Sequence, residues 1–172
     1  MLPMSALYTR REYDLLPEGF PAQLIQGHLV KEPSPTYGHQ RLVGRLRDAL
    51  VPIVGPDLVV VSPTDVVLDE FNVFQPDVVV VREIPPLDQS NVGIPRLAFE
   101  VLSKSTASRD REVKRVLLLE AGVEEVWLLD PATQAIEVWW PDAMRRFSGQ
   151  DAAISRGLPG FRLVPARLFH AP

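Results

Sequence analysis

Leu97-Ala98-Phe99-Glu100-Val101-Leu102 is an apolar run of strand length with a single carboxylate inside it. The run is too short for a buried helix and suits a core strand. An ionised carboxylate in such an interior costs several kcal/mol in effect, roughly the scale for buried ions. A glutamate kept there is paired, held protonated for a task, or bound to a metal. The plainer alternative is an edge strand with Glu100 facing water.

Upstream, Gln75-Pro76-Asp77 leads into Val78-Val79-Val80-Val81, which is apolar on both faces and so suits a central strand covered from both sides. Alone, Pro-Asp is an ordinary turn. Beside Glu100 it gains weight, because two neighbouring strands that each present a carboxylate at one level form an oxygen site. Magnesium or manganese takes one or two carboxylates together with waters and phosphate oxygens. Residues 58–61 and 66–68 read as further strands.

Downstream, the spacing predicts a helix over 109–121, with Ser108 at its N-cap, Asp110 and Glu112 in its first turn, and Gly122 ending it. At about 100° per residue, Val113, Val116, Leu117, Leu118 and Ala121 define an apolar arc that contains Lys114, with Asp110 beside it. A lysine on that inward side can reach back to the carboxylates, to orient or deprotonate an attacking water or to offset phosphate charge. The alternative is a surface Asp110–Lys114 pair, worth about 0.2–0.5 kcal/mol. Residues 125–129 and 135–140 read as strands joined through Asp130-Pro131.

The front of the chain holds a short helix over 8–16, a hairpin over 22–31 turning at Gln26-Gly27, and a Pro33-Ser34-Pro35 breaker. A helix then runs over 39–54, with Leu42, Leu46, Ala49, Leu50 and Ile53 at helical spacing and Pro52 bending or ending it. His39, which opens this helix, is an accessory site residue if that end faces the carboxylates, and otherwise a structural hydrogen-bonder. Ser103, Ser105, Thr106 and Ser108 read as cap and loop residues. The tail near Leu158-Pro159-Gly160 has too little pattern to read. This order of elements predicts an α/β sheet flanked by helices, in one domain over 1–172.

Composition narrows the chemistry. The chain has 172 residues, 46% of them hydrophobic and 23% charged, as in ordinary globular proteins. It contains no apolar stretch of membrane-spanning length, and its start lacks the pattern of a signal peptide. With no cysteine, thiolate zinc sites and cysteine nucleophiles are excluded, any metal sits on oxygen or imidazole, and a cytoplasmic location is the default. Gly-rich phosphate loops, nucleophile elbows and paired zinc histidines are also absent. The net charge of −4 argues mildly against a nucleic-acid binder. However, basic residues gather at 96–115, including Lys104, Arg109 and Arg111, and on the helix of Arg41 and Arg45. A basic rim around an acidic centre is what phosphate binding beside a metal requires. Scattered solvated charge is the bland alternative.

Four blocks in order carry a resemblance. They are Gln75-Pro76-Asp77 with its valines, Leu97 to Thr106, Arg109-Asp110-Arg111-Glu112-Val113-Lys114, and Gly122 to Pro131. With Ser34-Pro35 and His39 in front and Leu158-Pro159-Gly160-Phe161 behind, nearly the whole chain resembles the Uma-two family of restriction endonucleases. The resemblance implies a restriction-endonuclease-like mixed sheet flanked by helices, of the PD-(D/E)XK kind. It implies metal-dependent endonuclease activity on DNA with Mg2+ or Mn2+; with no separate recognition domain, sequence specificity would come from loops or from the symmetry of a homodimer. Asp77 and Glu100 match the metal-binding acids, with the Val101 carbonyl as a further ligand. Leu102 stands where the usual motif lysine would be, and Lys114 takes that role from the following helix. Gln23, Gln26 and His28 replace acids typical of the family's hairpin, and Leu118 replaces a common tyrosine. A catalytically silent nucleic-acid or protein-binding module is therefore the rival reading, and a dimerisation domain built on Trp139-Trp140 is a third.

Overall fold

The computed structural model of the chain describes residues 7–170. Residues 1–6 and 171–172, included in the single-domain reading and at its N-terminal end in the signal-peptide argument, lie outside the described residues. Helix α1 (Arg10–Tyr13) is shorter than the stretch predicted, and Glu12 turns back to accept from the Thr9 backbone N–H at 2.7 Å. The hairpin strands β1 (Ala22–Ile25) and β2 (His28–Lys31) are antiparallel and turn where expected. Gln26 and Gly27 there have φ of 50° and 77°, as a two-residue hairpin turn needs.

Helix α2 (Tyr37–Val54) begins two residues earlier than its apolar spacing suggested, because Thr36 caps it and accepts from His39 N–H at 3.2 Å. Pro52 does not stop this helix. Gly55 ends it, at φ 90°. Five short strands come next, β3 (Val59–Val61), β4 (Asp65–Asp69), β5 (Asn72–Phe74), β6 (Val78–Val80) and β7 (Asn91–Val92), before the longer β8 (Leu97–Val101).

Helix α3 (residues 107–120) is α-helical at Ala107–Arg109 and Arg115–Glu120, and widens into a π turn over Asp110–Lys114. Ser108 is not its cap. The cap position is Thr106, since Ala107 N–H already bonds the Ser103 carbonyl at 3.0 Å. Strands β9 (Glu125–Asp130), β10 (Ala135–Trp139), β11 (Met144–Ser148), β12 (Ala153–Ile154) and β13 (Arg162–Leu163) lead to α4 (Pro165–His170).

The main sheet has the order β11-β10-β9-β8-β6-β3, with β8 and β9 parallel and the other pairs antiparallel. Alternation along its strands divides the core in two. Leu97, Phe99, Trp127 and Leu129 pack on one face with α2, Phe161 and α4. Val79, Ala98, Val126 and Leu128 pack on the other with α3 and with Ile25, Val66 and Phe74 of a second sheet, ordered β2-β1-β5-β4-β7. The mixed sheet with helices on both faces is the fold class expected. β6 lies inside the sheet and is buried throughout, as its valines implied.

Trp140 is buried, and Trp139 lies beneath the Arg115 guanidinium, 3.8 Å from the ring centroid. These two tryptophans therefore form no exposed aromatic patch for a dimer to use.

Candidate active site

β6 and β8 run antiparallel, with Val78 opposite Phe99. One more step along this register sets Asp77 opposite Glu100, and the pleat turns both towards the face covered by α3. Asp77 is fixed from two sides. Its Oδ2 accepts from Val101 N–H at 2.7 Å, and its Oδ1 lies 2.8 Å from His39 Nε2. His39 comes from the first turn of α2, so the site joins a strand end, a neighbouring strand and a helix start.

Lys114 is 2% exposed although it carries a charge, and its Nζ pairs with Glu100 Oε1 and lies 3.5 Å from Asp110 Oδ1. The π turn contains both Asp110 and Lys114, and such turns gather at functional sites. Burial pushes the Glu100 carboxyl well above the usual carboxylate range, and Asp110 and Asp77 add to the shift while Lys114 opposes it. Burial alone would lower Lys114, but Glu100 and Asp110 outweigh it and hold the ammonium charged, above its usual range. His39 is raised by its hydrogen bond to Asp77, against the effect of burial.

Among the described residues, no three His, Asp or Glu side chains form a ready-made metal cluster. The donors brought together are the carboxylates of Asp77 and Glu100, next to the Val101 main chain. This all-oxygen set fits a magnesium or manganese ion, which completes its shell with waters and substrate oxygens. The residues open on a cleft of about 1730 Å³, bounded by the second sheet, the start of α2 and the β8–α3 turn. Sites for small ligands are typically about 300–1,000 Å³, so this volume suits a polymer segment.

The family described as "Putative restriction endonuclease", Uma2, matches residues 10–166. The chain belongs to the Uma2 family. Its fold is similar to a crystal structure from Anabaena variabilis described as a putative nuclease, with a TM-score of 0.76 and 21% identity. That likeness covers 94% of this chain and 97% of the other. No curated protein matches the sequence.

Within this Uma2 chain, the departures noted in the sequence fall in different places. Gln23 is buried in the cleft wall, where its side-chain oxygen accepts from Gln75 N–H at 2.8 Å. Gln26 and His28 are exposed and away from the cleft, and Leu118 is core. Only one of the four positions therefore touches the site.

The basic rim does not assemble as read from the sequence. Arg41 and Arg45 line the cleft. Arg109 is paired with Glu32 at 2.7 Å, and Arg111 with Asp130 at 2.7 Å and Glu137 at 3.0 Å. Neither Arg109 nor Arg111 lines the cleft, and nor does the exposed Lys104. Sequence reading ran ahead here because it counted charge along the chain, whereas acids from distant strands neutralise it in space.

Two cleft residues were missed. Glu32, at the end of β2, sits near enough to Lys114 and Asp110 to feel both charges, and burial raises its carboxyl. Tyr37, at the start of α2, stands 76% exposed on the rim. Glu32 has no local signature, because it joins the site through its distant partner Arg109, and nothing in the residue order says that the start of α2 carrying Tyr37 faces the cleft. The alternation of the hairpin was the one available hint for Glu32.

Proposed function

We propose that the protein is an endonuclease that hydrolyses phosphodiester bonds of DNA with a divalent metal ion, Mg2+ or Mn2+. The observation that carries this reading is the convergence of Asp77, Glu100 and the buried Lys114 at one cleft. Asp77 and Glu100 would hold the cation, with the Val101 carbonyl as a further ligand. Such an ion, when bound, acidifies a water and offsets charge on the phosphate. Lys114, kept charged by Glu100 and Asp110, would orient the attacking water and face the developing negative charge. His39 holds Asp77 in place through Nε2, which leaves Nδ1 as the ring nitrogen that would relay a proton. Arg41 and Arg45 meet the strand at the cleft wall. A cytoplasmic location and a homodimeric assembly belong to the same reading. Among the described residues, no helix is long and apolar enough to cross a membrane.

A second reading, a catalytically silent binding module, is favoured by one observation. Asp77 already has both oxygens in contact with His39 and Val101, and Glu100 is ion-paired with Lys114, so each acid has a partner without metal. Plasmid nicking and melting curves with and without manganese separate the two. The nuclease should cut, and should melt higher with the ion, by up to about 2.7 kcal/mol of linkage at a hundredfold excess over Kd. Asp77→Asn should remove both effects. No cutting together with an unmoved melting curve supports the silent module.

A further inference from the structure

The cleft is poor in the charge that duplex binding uses. Beside Asp77, Glu100 and Asp110, it is lined by Asp14, Glu18, Glu32 and Asp65, against Arg10, Arg41, Arg45 and Lys114 as cations. Lys114 is buried in its acid pair, and Arg10 lies 3.5 Å from Asp14. Proteins that grip duplex DNA draw most of their affinity from Lys and Arg neutralising many phosphates. An acid-rich cleft gives little of that contact, and a divalent ion at the carboxylates adds only one local positive site. Another source of affinity is therefore needed if a strand is to reach Asp77.

Tyr37 provides one. It opens α2 two residues before His39, which touches Asp77, so the ring stands at the mouth of the same cleft. Arg41 Nη1 donates to the Tyr37 hydroxyl at 3.1 Å, with the guanidinium 5.8 Å from the ring centroid. An exposed aromatic ring offers a surface on which a base can stack, and stacking needs no phosphate clamp. Bases inside an intact duplex are not available for it.

We propose that the cleft takes an unpaired DNA strand, with one base stacked on Tyr37, in preference to an intact duplex. This rests on the nuclease reading and names its substrate class. The test is fluorescence anisotropy of the full chain without divalent ions, using labelled DNA of about 12 nucleotides, a usual site size, as single strand and as duplex. The single strand should bind about tenfold tighter or more, and Tyr37→Ala should weaken it by roughly five- to 150-fold, the range for one lost stacking partner. Tyr37→Trp should retain binding. Affinity should fall only shallowly between about 50 and 200 mM salt, since few phosphates are neutralised. Equal or tighter binding of duplex, binding indifferent to Tyr37→Ala, or no binding of either DNA would overturn the proposal. Cleavage of duplex without this preference would leave the nuclease reading standing and remove the inference. Tyr37-dependent single-strand binding with no cleavage under Mg2+ or Mn2+ would sustain the inference and remove the nuclease reading.

Discussion

Glu100 and Glu125 are two buried glutamates on neighbouring strands of one sheet, and they have been put to opposite uses. Glu100 lies near the end of β8 on the face covered by α3, and what meets it is charge: Lys114 as a partner, with Asp110 and Asp77 crowding it. Glu125 opens β9 on the other face and is met by neutral donors. Its Oε2 accepts from Trp127 Nε1 at 2.8 Å and Ser155 Oγ at 2.9 Å. Its Oε1 accepts from Trp140 Nε1 at 3.1 Å, Arg156 N–H at 2.6 Å and Gly157 N–H at 2.7 Å. The first environment can be altered by a bound cation or proton. The second is complete, and it pins the 153–158 segment to the sheet. Burial of a carboxylate therefore signals chemistry only where charged partners leave its state adjustable.

The largest expected effect tests the complete environment. Glu125→Ala strands two indole N–H groups, a hydroxyl and two backbone N–H groups, each costing about 1–3 kcal/mol when left unsatisfied. Urea unfolding should show a loss of at least about 3 kcal/mol, allowing for water entering the gap. Glu100→Gln should change stability by no more than about 1 kcal/mol, because it relieves repulsion among acids as it weakens the lysine pair. If the two variants are equally destabilised, the contrast between the glutamates fails.

Removing Lys114 sharpens the same contrast. From the helix wheel alone, a substitution there looks nearly neutral for stability. The structure changes that expectation, since Lys114→Met leaves Glu100 and Asp110 buried without a counter-charge, at a cost of about 3–5 kcal/mol when both are ionised. An acid whose folded pKa is raised binds its proton more readily folded than unfolded, so its folded form loses stability as pH rises. The deficit of Lys114→Met should accordingly grow from mildly acidic to alkaline pH, while Lys114→Met with Glu100→Gln should recover much of it. A deficit that shrinks as pH rises would show that Glu100 is not the group left unpaired.

The smallest effect concerns Asp130, an acid of intermediate kind. Burial would raise it, but hydrogen bonds from Arg111, Thr133 and Ala132 outweigh that and hold it below the usual aspartate range. A depressed carboxylate contributes stability that is present above its unfolded pKa and lost as pH falls through the folded value. Acid unfolding of Asp130→Asn should therefore begin from a slightly lower stability and fall less steeply below about pH 4. An unchanged acid limb would mean that the Arg111 pair adds nothing.

Much of the fold was legible along the chain. The valine run of β6, the apolar strand around Glu100, the hairpin turn at Gln26-Gly27 and the stop at Gly122 are local signals, set by side-chain period and allowed φ. Strands β5 and β7 and the tail were not legible, because they are as short as β3 and β6 but lack the continuous valine runs that marked those two.

The site divides in the same way. That Glu100 is anomalous in its strand, and that Lys114 falls on the inward arc of its helix, follows from residue order and the helical repeat. That Asp77 lies opposite Glu100 follows from the register of β6 against β8. That His39 reaches Asp77, that Glu32 captures Arg109, and that Tyr37 stands over an acid-rich cleft are facts of tertiary structure alone. They join residues many tens of positions apart, and the electrostatic and packing energies that join them depend on distance in space, which one-dimensional order does not encode.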